Sequence, residues 1–500
     1  MSDLPRLADP IEARPPERRS ILERVLGVVT EVRASEGVTA LLLTLNVFLL
    51  LTAYYVIKPV REALIGSVKN GPEYKSYMGA VIAVALLGIV PLYSLLASRL
   101  DRNALIQRVS FFFVSNLVVF WLVGRTALVD AETGALIFAL AFVFWVGIFN
   151  LMIVAQFWAF AADVYTTEQG TRLFPLVGLG ASVGSVVGSL VVNRIVKQLG
   201  TEHMMLVAAV LLGAATLLTA VVHRREIARR ARPTVAVRSG RGEAEATNVK
   251  EPPKAEPDEK GSFALVLGNK YLRYIAIFTV LFSLVNTSGE FIVSKLVSEA
   301  SKVAAETKEG QKAFIAAYYG DFFLWVNVAG VVIQSFLVSR IVKFGGLTLG
   351  LLMFPVASLM SELSIAIVPI LIVARIGKTA ENSLDYSLNN TMRNMLWLPT
   401  SARVKYVAKQ AIDSFFARLG DVGSALVVFV LVDQLDLGVR AVAIVNVVLV
   451  AIWVYVAIAI VRENKILTRA VESATVPPDS SADAEEPPVD APGALAKPVT

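Results

Sequence analysis

Residues 38–65 read VTALLLTLNVFLLLTAYYVIKPVREALI. Up to Lys58 this run carries no charge, and about 20 apolar residues in a helix are what crosses a hydrocarbon layer roughly 30 Å thick. Runs of that size recur outward from it, at 76 to 98, 106 to 124, 135 to 161, 171 to 195 and 203 to 223, then at 272 to 294, 315 to 342, 346 to 361, 364 to 396, 412 to 433 and 439 to 461. With the opening run at 38 to 58 they make twelve expected spans, so the chain reads as an all-α polytopic membrane protein. Composition agrees. Hydrophobic residues are 55% of the chain and charged ones 18%, against about 25% charged in a soluble domain, so the apolar excess must face lipid.

The remaining charge is ordered by topology. A polar stretch at 224 to 262, with Arg224, Arg225, Arg229, Arg230 and Arg232 followed by a Pro/Glu/Lys segment, divides the spans six and six. Setting it in the cytoplasm sets both termini there, beside Arg18, Arg19 and Arg24 at one end and Arg462, Lys465 and Arg469 at the other, as the positive-inside rule requires. The expected plan is a cytoplasmic segment 1–37, a six-helix bundle 38–223, a cytoplasmic linker 224–262, a second six-helix bundle 263–461 and a disordered tail 462–500 rich in Pro, Ala, Asp and Glu. The first 37 residues lack the short apolar core and small-residue cleavage site of a secretory signal, so the first span is expected to direct insertion, into a bacterial inner (cytoplasmic) membrane. Because the basic residues sit at span ends, the net charge of +6 speaks for orientation in a bilayer and not for nucleic acid. With no cysteine and only His203 and His223, disulfides, zinc clusters and thiol nucleophiles are excluded, and no metal or cofactor is expected. No nucleophile, base and orienter constellation points to an enzyme.

Two short matches relate the halves. Lys58, Val60, Glu62 and Ala63 correspond to Lys295, Val297, Glu299 and Ala300, 237 residues later, and Val183-Gly184-Ser185 corresponds to Val422-Gly423-Ser424, 239 residues later. Nearly equal offsets across a polar linker fit 6+6 pseudo-repeats, the parallel-repeat plan of a major-facilitator-like fold, in which the site lies between the halves near the bilayer midplane.

The candidate chemistry lies at two places. At the end of the first span Lys58, Arg61 and Glu62 stand among apolar residues, three and four apart, so they could share one helix face around Pro59. Lys58 and Arg61 either snorkel to the interface or face a central cavity; their place on the outer side, where positive charge is scarce, favours the cavity. In the tenth span Arg375, Lys378, Glu381, Asp385 and Arg393 alternate with Asn382, Asn389 and Asn390, and Lys378, Glu381 and Asp385 step by three and four into one polar stripe. Lipid would charge roughly 2.5 to 3.5 kcal/mol for each such group, so the stripe must line a cavity or a helix interface. The alternative is that the span ends early and 381 to 410 form a cytoplasmic amphipathic helix, with Arg393, Arg403, Lys405 and Lys409 at the inner mouth. Charged groups of this kind inside a membrane mark a pathway for a charged solute.

Other features carry less. Gly377-Lys378-Thr379 is not a phosphate loop, since Ile372 stands where its glycine belongs, and Gly180, Gly184 and Gly188 at four-residue intervals suit close helix packing instead of dinucleotide binding. Trp158 reads as an interfacial anchor, and Asp163, Asp321 and Asn327 as caps or interface groups as readily as ligands.

Three segments, Tyr54 to Ile65, Phe157 to Gly180 and Asp385 to Asp413, resemble the ATP/ADP translocase family of intracellular bacteria and plastids. Arg61-Glu62-Ala63-Leu64 is similar to that family's first-span motif, and Arg172-Leu173-Phe174-Pro175-Leu176 with Gly178-Leu179-Gly180 to its loop between spans four and five. Tyr386-Ser387-Leu388, Arg393-Asn394-Met395, Leu398-Pro399 and Lys409-Gln410-Ala411-Ile412-Asp413 resemble its signature after span ten. The chain departs from the family pattern at Asp385 in place of a lysine, at Asn390-Thr391-Met392 in place of Asp-Pro-Thr, and at Val146 in place of an acid. The resemblance implies nucleotide exchange by alternating access. Lys58, Arg61, Arg393 and Lys378 would then hold phosphates, with Asn390 beside them, Glu62, Glu381 and Asp385 would form state-dependent ion pairs, and Tyr54 or Tyr55 would stack on the base. Arg61 and Arg393 stand where the family has lysines, and keep the charge with a planar fork in place of a point charge. The partners implied are a nucleotide or other anionic small molecule and the lipid bilayer, with the chain a monomer. Two further readings stay open: a cation-coupled carrier of another organic anion with Glu381 or Asp385 as the proton site, and a non-transporting membrane scaffold.

Overall fold

The structure, a computed structural model, describes residues 21–26, 30–33, 36–100, 102–231, 262–400 and 402–475. Most of the N-terminal segment and of the linker, and the tail beyond 475, lie outside the described residues, and with them Arg18, Arg19 and Arg232.

Helices are the secondary structure throughout the described residues. The first half comprises α1 (Gly37–Gly66), α2 (Gly71–Arg99), α3 (Arg102–Val123), α4 (Glu132–Val164), α5 (Thr167–Leu199) and α6 (His203–Ala231). The second begins with α7 (Lys270–Ala304) and α8 (Lys308–Val332), which runs through a π-helical turn at Ile333–Leu337 into α9 (Val338–Ile367). Next comes α10 (Leu371–Leu384), extended by a π-helical turn at Asp385–Asn389 and by Asn390–Met395. Then α11 comprises Ala402–Ala411, a π-helical turn at Ile412–Phe416, Ala417–Val428 and a last π-helical stretch at Phe429–Gln434, and α12 is Val439–Thr475.

Among the described residues ten helical stretches are long and apolar enough to cross a membrane, and one of them, Lys308–Ile367, is 60 residues long. A crossing takes about 20 to 25 residues, so that stretch holds two. They are separated at Gly346, whose backbone (φ 57°, ψ −159°) lies in a region open in practice to glycine alone. The polar α10 is the remaining crossing of the twelve expected. It ends at Met395, and Ala402–Ala411 belongs to α11, so no single amphipathic helix covers 381 to 410. α6 and α12 both run on past the apolar segments that bound them in the sequence, to Ala231 and Thr475, because the Arg-, Glu- and Ala-rich residues there are good helix formers.

The repeat is visible in the packing. Gly180, Gly184 and Gly188 of α5 lie against the backbone of Thr44, Phe48 and Thr52 in α1, closer than any Cβ would allow at Gly184, and Thr52 Oγ1 donates to the Gly184 carbonyl (3.2 Å). In the second half Gly420 of α11 lies in the same way against the backbone of Val280 and Leu284 in α7, and Gly423 lies against the Leu284 side chain. At the chain-terminal end of the first half, Glu36 pins α1 to α5: its carboxylate accepts two bonds from Arg172 (3.1 and 2.9 Å), one from the Arg33 amide (3.0 Å) and one from Gln169 (3.1 Å). Burial opposes ionisation of Glu36, but these donors together hold its carboxyl below the ordinary value. Gln169 also closes a capping box with Thr166 at the start of α5.

The two halves meet along α5 with α8 and along α2 with α11. Their polar links lie toward the end remote from the linker. Lys295 of α7 pairs with Glu73 of α2, Ser298 donates to the Gly66 carbonyl (2.7 Å), Lys312 pairs with Glu202 (3.3 Å) and Tyr77 donates to Asp433. At the linker end the pairs stay within one half, as in Glu36 with Arg172, Lys270 with Glu463 (2.6 Å) and Arg393 with Asp413 (2.9 Å). The halves are therefore latched at the remote end, with the linker-end pairs leaving them free to part.

Candidate functional site

Just inside that latch lies a set of ionised side chains drawn from both halves. Glu62 of α1 is 1% exposed and accepts from two cations: Arg61 Nε (3.1 Å), with Arg61 Nη2 on the same oxygen, and Lys75 Nζ of α2 (2.6 Å) on the other. Lys75 also faces Glu290 of α7 at 4.0 Å, across the seam between the halves. Glu290 accepts from Asn382 of α10 (3.1 Å). On that helix Lys378 donates to Glu381 (3.1 Å) and to both the carbonyl (3.0 Å) and the side-chain oxygen (2.9 Å) of Asn286 in α7. A polar chain thus runs from Arg61 through Glu62, Lys75 and Glu290 to α10, buried where lipid could not hold it.

Lys58 stands apart from this chain. The sequence placed it four residues before Glu62 as a possible partner, but Glu62 is taken by Arg61 and Lys75, and among the described residues Lys58 has no carboxylate at ion-pair distance. Its ammonium sits 3.9 Å from the centre of the Phe323 ring of α8 and within 6 Å of the Tyr55 and Tyr386 rings, 3.4 Å from the Tyr386 hydroxyl. Tyr386 is 45% exposed and Lys58 partly so, which leaves the group only partly enclosed. An ammonium over aromatic faces gains about 0.5 to 2 kcal/mol, which holds it without neutralising it. The arrangement offers one unneutralised positive charge framed by three rings, from α1, α8 and the π-helical turn of α10, a distortion frequent at functional sites.

The remaining candidates fall into three groups. Tyr55 faces Phe323 across the seam (centroids 6.1 Å), whereas Tyr54 packs edge-on to Tyr55 and against Phe149 in the first half. Lys378 and Glu381 join as the stripe required, while Asp385 accepts from Asn389 (2.8 Å) instead of continuing the pair. Arg393 lies eight residues beyond Asp385, about 12 Å nearer the linker end, over the Phe282 ring and paired with Asp413. Asn390 is exposed there and accepts from Asn394, so both stand toward the linker end and not among the central charges. Asp321 pairs with Arg375 and accepts from Asn193 (3.4 Å) across the α5–α8 seam, an interface group. Sequence reasoning missed Lys75, Glu290, Glu362, Asn286 and Phe323. Glu290 and Glu362 had a signal, a lone acid among apolar residues, which by default marks function in a membrane.

A two-fold set of six helices, hinged on α2 with α11 and α5 with α8 around a charged seam, is the architecture of the major-facilitator class of membrane proteins. Solved structures agree in fold: the nucleoside transporter NupG superposes with a TM-score of 0.58 at 12% identity over 84% of this chain and 99% of that one. A POT-family peptide transporter superposes with a TM-score of 0.56 at 11% identity over 89% and 99%. Within that class, the sequence profile of the TLC ATP/ADP transporter family matches residues 127–464, and the chain belongs to this family. Among curated relatives, ADP,ATP carrier protein 1 of Chlamydia pneumoniae is 21% identical over 342 residues, 61% of this chain and 63% of that protein. ADP,ATP carrier protein 1 of Rickettsia bellii is 22% identical over 359 residues, 65% and 68%. The chain therefore spans a little under two thirds of the Chlamydia pneumoniae relative's length.

Proposed function

We propose that this protein exchanges nucleotides, ATP and ADP or a related triphosphate–diphosphate pair, across the bacterial cytoplasmic membrane by alternating access of its two halves. The observation that carries this reading is Lys58, a cation without a carboxylate, framed by Tyr55, Phe323 and Tyr386. A phosphate supplies the missing charge, and a base has the flat apolar face that such rings stack on, worth about 1 to 3 kcal/mol per base. Membership of a family whose named relatives are ADP,ATP carriers points the same way.

With the linker in the cytoplasm, the latch of Glu73, Lys295, Tyr77 and Asp433 is on the outer side and the described state is inward-facing. Nucleotide entering from the cytoplasm passes Arg393 and Asn390 at the mouth and reaches Lys58. Neutralising the ammonium removes an unpaired charge from the seam, which then closes on the inner side while the outer latch opens. Without an anion that charge would have to be carried across unpaired, so the return step requires a second nucleotide and the cycle is an exchange. The test is counterflow of labelled ATP or ADP in proteoliposomes: uptake that depends on unlabelled nucleotide inside is expected, and no uptake across a panel of nucleotides would reject the reading.

A further inference from the structure

Glu362 of α9 has no part in that scheme. It is fully buried (0% exposed), and neither of its carboxylate oxygens has a hydrogen-bond partner. It stands beside Gly289 of α7. A Cβ added there would be 3.0 Å from Glu362 Oε1 and 3.0 Å from Lys378 Nζ, so both reach one patch of α7 that a side chain would fill. Lys378 cannot serve Glu362. An ammonium has three donors, and those of Lys378 go to the carbonyl and side-chain oxygens of Asn286 and to Glu381. Glu381, itself 1% exposed, keeps its second oxygen unpartnered.

The other cations on the elements packed against α9 are engaged elsewhere: on α10 and its extension Arg375 pairs with Asp321 and Arg393 with Asp413. On α12, Asn446 accepts from Ser288 (2.7 Å) and turns an unpaired amide toward Glu362 short of bonding geometry. Arg440 of α12 lies at the remote end on the Ile367 carbonyl (3.3 Å). On α7, Glu290 is matched to Asn382 and Lys75, and on α10 Asp385 is matched to Asn389. One lysine therefore faces two carboxylates in a closed site within the bilayer. A buried charge left uncompensated costs several kcal/mol, and two carboxylates that share a site cannot both ionise.

We propose that Glu362 and Glu381 hold one proton between them, so that the second half carries a proton-binding site built from Glu362, Glu381, Lys378 and Asn446. The step is the addition of one proton to one carboxylate to give a carboxylic acid. Two carboxylates beside one ammonium need only a proton to balance their charge, and among the described residues no group of three His, Cys, Asp or Glu could hold a metal. Loss of the proton sets both carboxylates against one ammonium and loosens Lys378 from Asn286, one helical turn from Glu290 and on the helix that carries Lys295 to the outer latch. The site itself is independent of the nucleotide reading; its effect on exchange rests on that reading.

The test is infrared difference spectroscopy of the purified full-length chain in nanodiscs at neutral pH. A protonated-carboxyl band that shifts in D2O is expected in the wild type and is lost in Glu362→Gln, which keeps the volume. Glu381→Gln loses it as well, since Glu362 then has Lys378 to itself. Absence of the band in the wild type overturns the proposal, and so does its persistence in both variants; the wild-type spectrum decides alone should a variant not fold. Loss of the band on replacing potassium by sodium would mean a cation site and would equally overturn it. In proteoliposomes the pH dependence of exchange is lost in Glu362→Gln. If no nucleotide exchanges at all while the band behaves as stated, the nucleotide reading has failed and the proton site stands.

Discussion

Replacing Lys58 by methionine removes the one cation of the central set that, among the described residues, has no carboxylate partner, while keeping most of the side-chain volume. In the free protein the change is small: the contact with the Phe323 ring is lost, about 0.5 to 2 kcal/mol, but so is an ammonium that had to be desolvated without a partner. Net stability without ligand should stay within about 1 kcal/mol of the wild type. Binding is a different matter. Truncating one partner of a buried, hydrogen-bonded charge pair costs about 2 to 5 kcal/mol, and near the lower end, about 2.8 kcal/mol, the dissociation constant rises about 100-fold. Nucleotide at 100 times the wild-type dissociation constant adds about 2.7 kcal/mol to stability; at the same concentration the variant would be only half occupied and gain about 0.4 kcal/mol. Thermal unfolding of the purified protein with and without ATP measures both numbers. Lys58→Arg, which keeps the charge, should retain most of the shift. A Lys58→Met protein that is stabilised by ATP as strongly as the wild type would refute the role given to this residue.

Four further outcomes are expected. Because the chain has no cysteine, a single Ser67→Cys reports the latched end cleanly, and Glu73→Gln or Lys295→Gln should raise its labelling by a maleimide several-fold by weakening the latch. Gly346→Ala should cost about 1 to 3 kcal/mol in thermal unfolding because alanine strains at φ 57°, ψ −159°. Gly184→Ala should cost about 1 to 3 kcal/mol by forcing α5 off the Phe48 backbone of α1, whereas Gly178→Ala, with open space around its Cβ position, should be neutral. Since the Glu36 carboxyl is held below its ordinary value of 4.5, its contribution is complete above that pH and is lost as pH falls through the lowered value. Melting curves of Glu36→Gln should accordingly lack the part of the acid destabilisation that the wild type shows below pH 4.5.

Much of the fold could be read because each crossing is written as a run of about 20 apolar residues, and because α5 and α11 keep the glycines that let them approach α1 and α7. The boundary of α6 was not legible: Arg224 to Ala231 are as good in a helix as in a loop, and hydropathy does not distinguish the two. The candidate site was half legible. Lys58, Arg61 and Glu62 announced themselves as charges inside an apolar segment, and Lys378 with Glu381 by their helical spacing. Which charges pair is a tertiary matter. Glu62 is closer in sequence to Lys58, yet its second oxygen goes to Lys75, thirteen residues on and in another helix. Arg393 and Asn390, grouped with Lys378 by sequence, are carried toward the linker end by the continuation of α10 beyond its π-helical turn. Phe323 had no chance of being noticed, since an aromatic among apolar residues gives no sign of a cation resting on its face.

Photolabelling with an azido-adenine nucleotide, followed by peptide mapping, asks most directly whether nucleotide sits between the two halves at Lys58. Adducts on the α1 segment around Tyr55, on α8 around Phe323 and on α10 around Tyr386, all suppressed by excess unlabelled ATP, are expected. Labelling confined to other segments, or insensitive to competing ATP, would contradict it.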